Sequence, residues 1–249
     1  MDEFYVGYLP KAPPGIRRRV RLLVGGVVIA SVAGAILFAA AQKNFANSTF
    51  EFGRTREFQG ILVQDPYPSL MMRPTSDAEE SEKTYLLVAQ GKHGAEQIVR
   101  GFAGKNVCLK GTLIQRDEGR MIEVNPGSIA ATAAVDRSAQ GPRVLGEFTL
   151  KGEIVDSKCF LGVMNPGEGK VHRDCAVRCI SGGIPPALLT SDFNGSQKIL
   201  LLTDENGKPL RKSILLDLVA QPVQIHGLVL EKGNILYLEA TATQITALH

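Results

Sequence analysis

The chain has 249 residues, of which 44% are hydrophobic and 21% are charged, a composition typical of globular proteins and not of disordered ones. Its formal charge of +3 comes from 28 basic and 25 acidic side chains, and residues 1–21 alone account for the excess. The remainder is neutral and contains no Trp. Because it lacks a basic surface, we do not expect this protein to bind nucleic acid.

A stretch of twenty residues without charge, LLVGGVVIASVAGAILFAAA (22–41), follows four closely spaced arginines. As a helix it would be about 30 Å long, which is the thickness of the hydrocarbon core of a bilayer. The positive-inside rule then predicts that residues 1–21 form a cytoplasmic tail and that the rest of the chain lies in the periplasm. The protein would be a single-pass protein of the inner (cytoplasmic) membrane. A cleaved signal peptide is the alternative, but its apolar region is usually only about 7–15 residues long.

Small residues recur along one face of this helix at Gly26, Ala30 and Gly34. Such a row lets a second membrane helix approach closely, although glycine and alanine are also common in membrane helices without this role. The tail before the helix contains an aromatic cluster that either lies at the membrane interface or docks on a partner protein. The cluster includes Phe4, Tyr5 and Tyr8. These features predict contact with integral membrane protein subunits as well as with the lipid bilayer.

Beyond the helix, the chain contains two halves that resemble one another. Each half has an opening strand with a glycine (Gly60, Gly152), then a short apolar strand, and later an alternating strand around a second glycine (Gly111, Gly227). A turn leads from that strand into a closing strand. Alternation with a period of two, bounded by Gly, Asn and Asp, predicts β-hairpins in both halves.

We therefore predict a mainly β protein, in which a single N-terminal transmembrane helix is followed by two tandem small β-barrels of OB-like type. A β-sandwich is the alternative arrangement of the same strands. The predicted boundaries are 52–126 for the first barrel, 127–143 for a linker and 144–249 for the second barrel. Helix is predicted only at 95–103, at 213–220 and in a segment that contains cysteines.

The second half is longer because about two dozen residues are inserted before its second apolar strand, within 158–190. The insertion offers four candidate metal ligands with the spacing C-x12-H-x2-C-x3-C. They are Cys159, His172, Cys175 and Cys179. Residues 172–181 should form a short helix, and positions i, i+3 and i+7 of a helix share one face. The histidine and the last two cysteines would then face the same way, and the first cysteine could complete the set.

Three interpretations of these four residues stay open. Three thiolates and an imidazole form a tetrahedral ligand set that suits one metal ion, zinc or iron. An oxidising compartment would favour one disulfide and one free thiol, although the odd number of cysteines weakens this interpretation. A reactive dithiol is the third, since Lys170, Arg173 and Arg178 would favour thiolates. We expect Cys108 to be an ordinary buried strand residue.

At the insertion, the sequence resembles a group of uncharacterised exported bacterial proteins. These carry a small OB-like domain with the signature D-x-x-C followed by H-x-x-C-A-x-x-C and G-x-P. The matching residues are Asp156, Cys159, His172, Cys175, Ala176, Cys179, Gly183 and Pro185. Three residues separate the last two cysteines of this chain, one more than in a C-x-x-C spacing. The resemblance covers roughly residues 146–249 and implies an exported OB-like domain, but no activity.

No Ser-His-Asp set, pair of carboxylates or phosphate-binding glycine loop stands out in the sequence, so we do not expect an enzyme. We expect a non-catalytic accessory subunit of a membrane energy-transducing complex, respiratory or photosynthetic, whose barrels cover the periplasmic face of the partner. The competing interpretation is a periplasmic metal-handling or thiol-redox protein that acts through the cysteine and histidine cluster. An accessory subunit should copurify with large membrane proteins, whereas a metal carrier should purify alone.

Overall fold

The computed structural model describes residues 11–42, 47–72, 83–132, 141–193 and 195–248. The chain divides into two compact units, Met1–Phe45 and Ala46–His249. Within these ranges, the first unit contains one long helix and the second contains the strands.

The helix of the first unit, α1 (Pro14–Ala41), begins eight residues before the predicted stretch 22–41. Its start at proline is favourable because the first turn of a helix needs no hydrogen-bond donor there. None of its residues is buried in the protein. By length and composition, α1 is able to cross a membrane. The predicted docking residues of the tail, Phe4, Tyr5 and Tyr8, lie outside the described residues.

The first half of the second unit is a closed barrel. Its strands are β1 (Ser48–Phe50), β2 (Arg56–Val63), β3 (Ser69–Met72), β4 (Lys83–Val88), β5 (Asn106–Arg116), β6 (Gly119–Val124) and β7 (Ala130–Ala131). The sheet order is β1-β5-β2-β3-β4-β6, and β5 also pairs with β6, which closes the five strands β2 to β6. Closure is parallel between β4 and β6 and antiparallel between β5 and β6.

The five barrel strands of the second half repeat this topology. Its strands are β8 (Arg143–Asp156), β9 (Pro186–Thr190), β10 (Lys198–Thr203), β11 (Pro222–Lys232), β12 (Ile235–Glu239) and β13 (Ile245–Ala247). Their order is β12-β10-β9-β8-β11-β13, with β11 also paired to β12. The parallel pair is again the closing one, between β10 and β12. The prediction of a mainly β protein with two small barrels is confirmed, and closure excludes the sandwich alternative.

The marker glycines of the two halves have the same structural role. A Cβ atom on Gly60 would lie 2.3 Å from the carbonyl oxygen of Met71, and one on Gly152 would lie 2.1 Å from that of Leu189. Both are backbone atoms of the neighbouring strand. No side chain fits where two strands approach this closely, which explains why glycine recurs at this point of each barrel.

Each barrel has its own apolar core, and a third cluster joins the two. The first core includes Leu62, Leu109 and Ile122, and the second includes Ile154, Leu200 and Leu238. The third cluster draws on both barrels and on the insertion, with members such as Tyr67, Phe160 and Tyr237. Across this junction the Tyr67 hydroxyl donates a hydrogen bond to the carbonyl oxygen of Leu202 at 2.5 Å. The two barrels therefore form one compact body.

Two predicted helices have different outcomes. Over 95–103 the chain forms turns instead of a helix, because Gly101 takes a φ of +83° and interrupts the repeat of helical angles. The predicted helix at 213–220 begins as α3 (Lys212–Leu215) and ends as a short 3₁₀ turn, Leu216–Leu218.

The predicted linker 127–143 contains β7 and the first residue of β8, while its residues 133–140 lie outside the described part.

Candidate metal centre

The insertion leaves the second barrel at the end of β8 and returns at β9. It contains a turn of π-helix (Cys159–Val163), a 3₁₀ turn (Lys170–His172) and then α2 (Arg173–Ser181). The predicted helix at 172–181 therefore forms, with His172 at its N-cap. Gly182 and Gly183 follow it, and Gly183 takes a φ of +105°, which ends the helix.

The structure brings the four predicted ligands together. The Sγ atom of Cys159 lies 3.9 Å from the Sγ of Cys175 and 3.9 Å from the Sγ of Cys179. The possible ligand atoms of Cys159, His172 and Cys175 lie within 4.8 Å of one another. None of the four cysteines, all of them in the described part of the chain, forms a disulfide. Cys159, His172 and Cys179 are buried, whereas Cys175 is partly exposed.

Asp156 belongs to the same cluster, and our sequence reasoning did not include it among the ligands. Its carboxylate is fully buried, and one of its oxygen atoms lies within 4.8 Å of the sulfurs of Cys159 and Cys179. One oxygen accepts a hydrogen bond from the backbone N–H of Cys159 at 2.8 Å, and the other lies 3.0 Å from Nε2 of His172. A carboxylate in this position orients a metal-binding imidazole. The D-x-x-C spacing of the resembled signature was the signal that could have indicated it.

A lysine from the other barrel also reaches the cluster. The Nζ atom of Lys92, in the loop after β4, lies 2.7 Å from the Sγ of Cys175 and 3.6 Å from the Sγ of Cys179. No local pattern in the sequence could have indicated this contact, because the residues are 83 positions apart. Lys170, Arg173 and Arg178 were the predicted source of positive charge, and of these Lys170 and Arg178 are exposed.

The loop that carries Lys92 is held against the insertion from two sides. Lys158 is buried and donates hydrogen bonds to the carbonyl oxygens of Ala89 and Gly91 at 3.0 and 2.6 Å, and it pairs with the carboxylate of Glu123 at 2.5 Å. On the other side, the N–H of Gly94 donates to the carbonyl oxygen of Gly182 at 3.0 Å. These contacts fix the position of the loop relative to α2.

The surroundings of Cys159 and Cys179 shift the pKa values of their thiols in opposite directions. The thiol of Cys159 hydrogen-bonds to the sulfur of Cys179, which lowers the pKa of Cys179 to about 7 and raises the pKa of Cys159. The Lys92 ammonium contributes to this lowered pKa of Cys179, and its hydrogen bond to Cys175 raises the pKa of Lys92 itself. A thiolate beside a fixed ammonium is therefore accessible near neutral pH. Thiolate is the form of cysteine that binds metals and reacts with disulfides.

The other residues considered from the sequence lie outside this cluster. Cys108 is a partly buried residue of β5, and burial raises the pKa of its thiol. Gly26 and Gly34 lie in α1, and the other side chains of that helix leave their Cβ positions unobstructed.

Comparisons with protein-family models, with curated proteins and with solved structures find no match to this chain. The resemblance to exported bacterial OB-like proteins therefore stays a prediction, carried by the residues of the insertion.

Proposed function

We propose that this chain is a membrane-anchored, non-catalytic protein whose two-barrel body holds one metal ion through Cys159, Cys175, Cys179 and His172. The observation that carries the proposal is the spacing of the sulfurs. A tetrahedral zinc site with Zn–S bonds of about 2.3 Å separates its sulfur atoms by about 3.8 Å. Cys159 lies 3.9 Å from both other sulfurs, whereas a disulfide requires about 2.05 Å.

The chemistry of the donor set supports the same proposal. Three sulfurs and one imidazole suit zinc or iron better than magnesium or calcium, which prefer oxygen ligands. Asp156 binds Nε2 of His172, so the lone pair of Nδ1 is the one left for a metal. The cluster is also mostly buried, which limits competition by water.

The test is metal analysis and thiol counting on the full chain, extracted in mild detergent without reducing agent. We expect one equivalent of zinc or iron, and four titratable thiols after chelation. Cys175→Ser should release the metal, whereas Cys108→Ser, the matched control outside the cluster, should retain it. The absence of metal together with only two titratable thiols would contradict the proposal, because it would mean that a disulfide joins two of the three clustered cysteines.

A second function, as accessory subunit of a respiratory or photosynthetic membrane complex, is favoured by α1. The helix has no buried residue, and its small residues Gly26, Ala30 and Gly34 recur every four positions along one face. Close packing on a neighbouring membrane helix would use such a row. The arginines before the apolar stretch favour a cytoplasmic N-terminus and a periplasmic body.

This second proposal is tested by native electrophoresis of detergent-solubilised membranes. We expect the chain to migrate with integral membrane subunits in constant stoichiometry. Ala30→Leu should release it by obstructing close helix contact, while Val32→Leu on the opposite face should leave the complex intact. A chain that migrates alone before any substitution would contradict the accessory role and leave the metal proposal unaffected.

A further inference from the structure

We infer that Lys92 is a positioning residue of the metal centre, supplied by the first barrel to ligands that all belong to the second. In this role its ammonium balances the charge of the metal–thiolate complex and donates hydrogen bonds to its sulfurs. The inference rests on the proposed metal site and adds to it that the centre is complete only where the two barrels meet.

The proposed metal centre carries negative charge that needs a counter-ion. Three thiolates and one divalent ion leave one net negative charge, and the buried carboxylate of Asp156 adds another beside it. Burying unbalanced charge is costly unless a counter-ion or hydrogen bonds compensate it. The ammonium of Lys158 is already engaged by Glu123 and two backbone carbonyls. Among the described residues, Lys92 is the cation that hydrogen-bonds to the sulfurs.

The placement of Lys92 is the second argument. A protonated lysine has three donors and no acceptor, so near thiolates it serves as a hydrogen-bond donor and not as a ligand. Its Nζ atom lies 2.7 Å from Cys175 and 3.6 Å from Cys179, and so it faces two ligands at once. Cys175 is the partly exposed member of the set, and a donor on its sulfur would restrain the ligand that water can reach.

The backbone around Lys92 is the third argument, because it leaves little freedom to move. A Cβ atom on Gly182 would lie 1.8 Å from the carbonyl oxygen of Lys92. The end of α2 and the lysine loop thus touch backbone to backbone. The backbone of Lys92 is thus held against the end of α2, and the contact of its side chain with the sulfurs does not depend on a freely moving surface lysine.

The experiment is a cobalt(II) titration of the full chain in detergent, with Lys92→Met, Lys92→Arg and the exposed control Lys110→Met. Two quantities are measured: the affinity, by competition with a chelator, and the position of the sulfur-to-cobalt charge-transfer band. Substitutions next to metal ligands typically weaken binding about 10- to 100-fold, and we expect this loss for Lys92→Met. Its band should also move to longer wavelength, because a sulfur without a hydrogen bond gives up an electron more easily. Lys92→Arg should recover most of the affinity, and Lys110→Met should match the parent chain.

The outcomes separate this inference from the proposal beneath it. A parent chain without a charge-transfer band would overturn the metal site itself. A parent chain with the band, and a Lys92→Met variant with the same affinity and spectrum, would overturn only the role of Lys92. An arginine variant that binds no better than the methionine variant would also overturn it, since arginine keeps the charge and the donors. Thermal unfolding of the metal-free variants checks that they are folded.

Discussion

At the scale of single residues, two carboxyl groups near the end of β8 contact the insertion. Asp156 is fully buried and contacts His172, while the half-buried Glu153 accepts a hydrogen bond from the N–H of Gly169 at 2.5 Å. Burial raises the pKa of Glu153 above its usual value, and the hydrogen bond from Gly169 offsets only part of this effect. The charged form of Glu153 therefore costs stability that the protonated form does not.

The raised pKa of Glu153 determines how the free energy of unfolding depends on pH. For a carboxyl group whose folded pKa is raised, the favourable contribution is present at low pH and is lost as pH rises through the folded pKa. Glu153→Gln keeps the acceptor for Gly169 and removes the charge, so it should raise the free energy of unfolding at pH 7. The gain should shrink as pH falls through the raised folded pKa, and it should be lost below the usual value for glutamate, about 4.3.

Denaturant unfolding at several pH values, followed by circular dichroism, provides the measurement. Glu147→Gln, an exposed position on the same strand, is the control and should change little. A Glu153→Gln variant that is less stable than the parent chain at pH 7 would show that the carboxylate stabilises the insertion.

At the scale of elements, one glycine at the same point of each barrel, Gly60 and Gly152, allows two neighbouring strands to approach closely. Gly152 lies in β8 where β9 approaches so closely that a Cβ atom would meet the carbonyl oxygen of Leu189 at 2.1 Å. A methyl group at this point must push the strands apart, and overpacking of this kind costs about 2 kcal/mol. Gly152→Ala should therefore lower the free energy of unfolding by about that amount.

Gly141 offers the matched control for this substitution, because it is exposed and no other atom lies within 4 Å of its Cβ position. Gly141→Ala should leave the denaturation midpoint unchanged. Equal midpoints for the two variants would contradict the close approach of β8 and β9.

Four strands of each barrel were predictable because their alternation and their marker glycines are local features of the sequence. The same holds for α2, whose cysteine and histidine spacing matches one helix face and whose end coincides with two glycines. The strands β3 and β9 were not predicted, and β9 lies within the predicted insertion 158–190. The helix predicted over 95–103 was wrong because its apolar spacing is helical, yet Gly101 adopts a positive φ within it. A glycine inside a helical pattern lowers the expectation of a helix. Here the apolar spacing of the neighbouring residues favoured the helix prediction in spite of it.

The two barrels act as one body at the scale of the whole molecule, and the sequence could not predict this. Cys159, His172, Cys175 and Cys179 are close in sequence, so their meeting could be inferred from spacing. Lys92 and Lys158 contact partners in the opposite barrel, and such pairs leave no periodic signal. The repeat indicated two similar barrels but not which surfaces they share.

Lys158 is the side chain whose removal should disturb this junction most. Its side chain is 3% exposed, and its ammonium group contacts Glu123 and two carbonyl oxygens of the first barrel. Lys158→Met would leave the buried partners uncompensated, and breaking a buried ion pair in this way costs about 3 kcal/mol. We expect a corresponding fall in the free energy of unfolding, measured by chemical denaturation, and no change for Lys110→Met. A stable Lys158→Met variant would mean that the apolar cluster alone holds the barrels together.

The central claim is that the clustered cysteines and histidine hold one metal ion. X-ray absorption spectroscopy at the edge of the metal that copurifies with the full chain tests it most directly. For zinc, the account predicts three sulfur neighbours at about 2.3 Å and one nitrogen at about 2.0 Å. A first shell made only of oxygen and nitrogen, or one with a single sulfur, would contradict it.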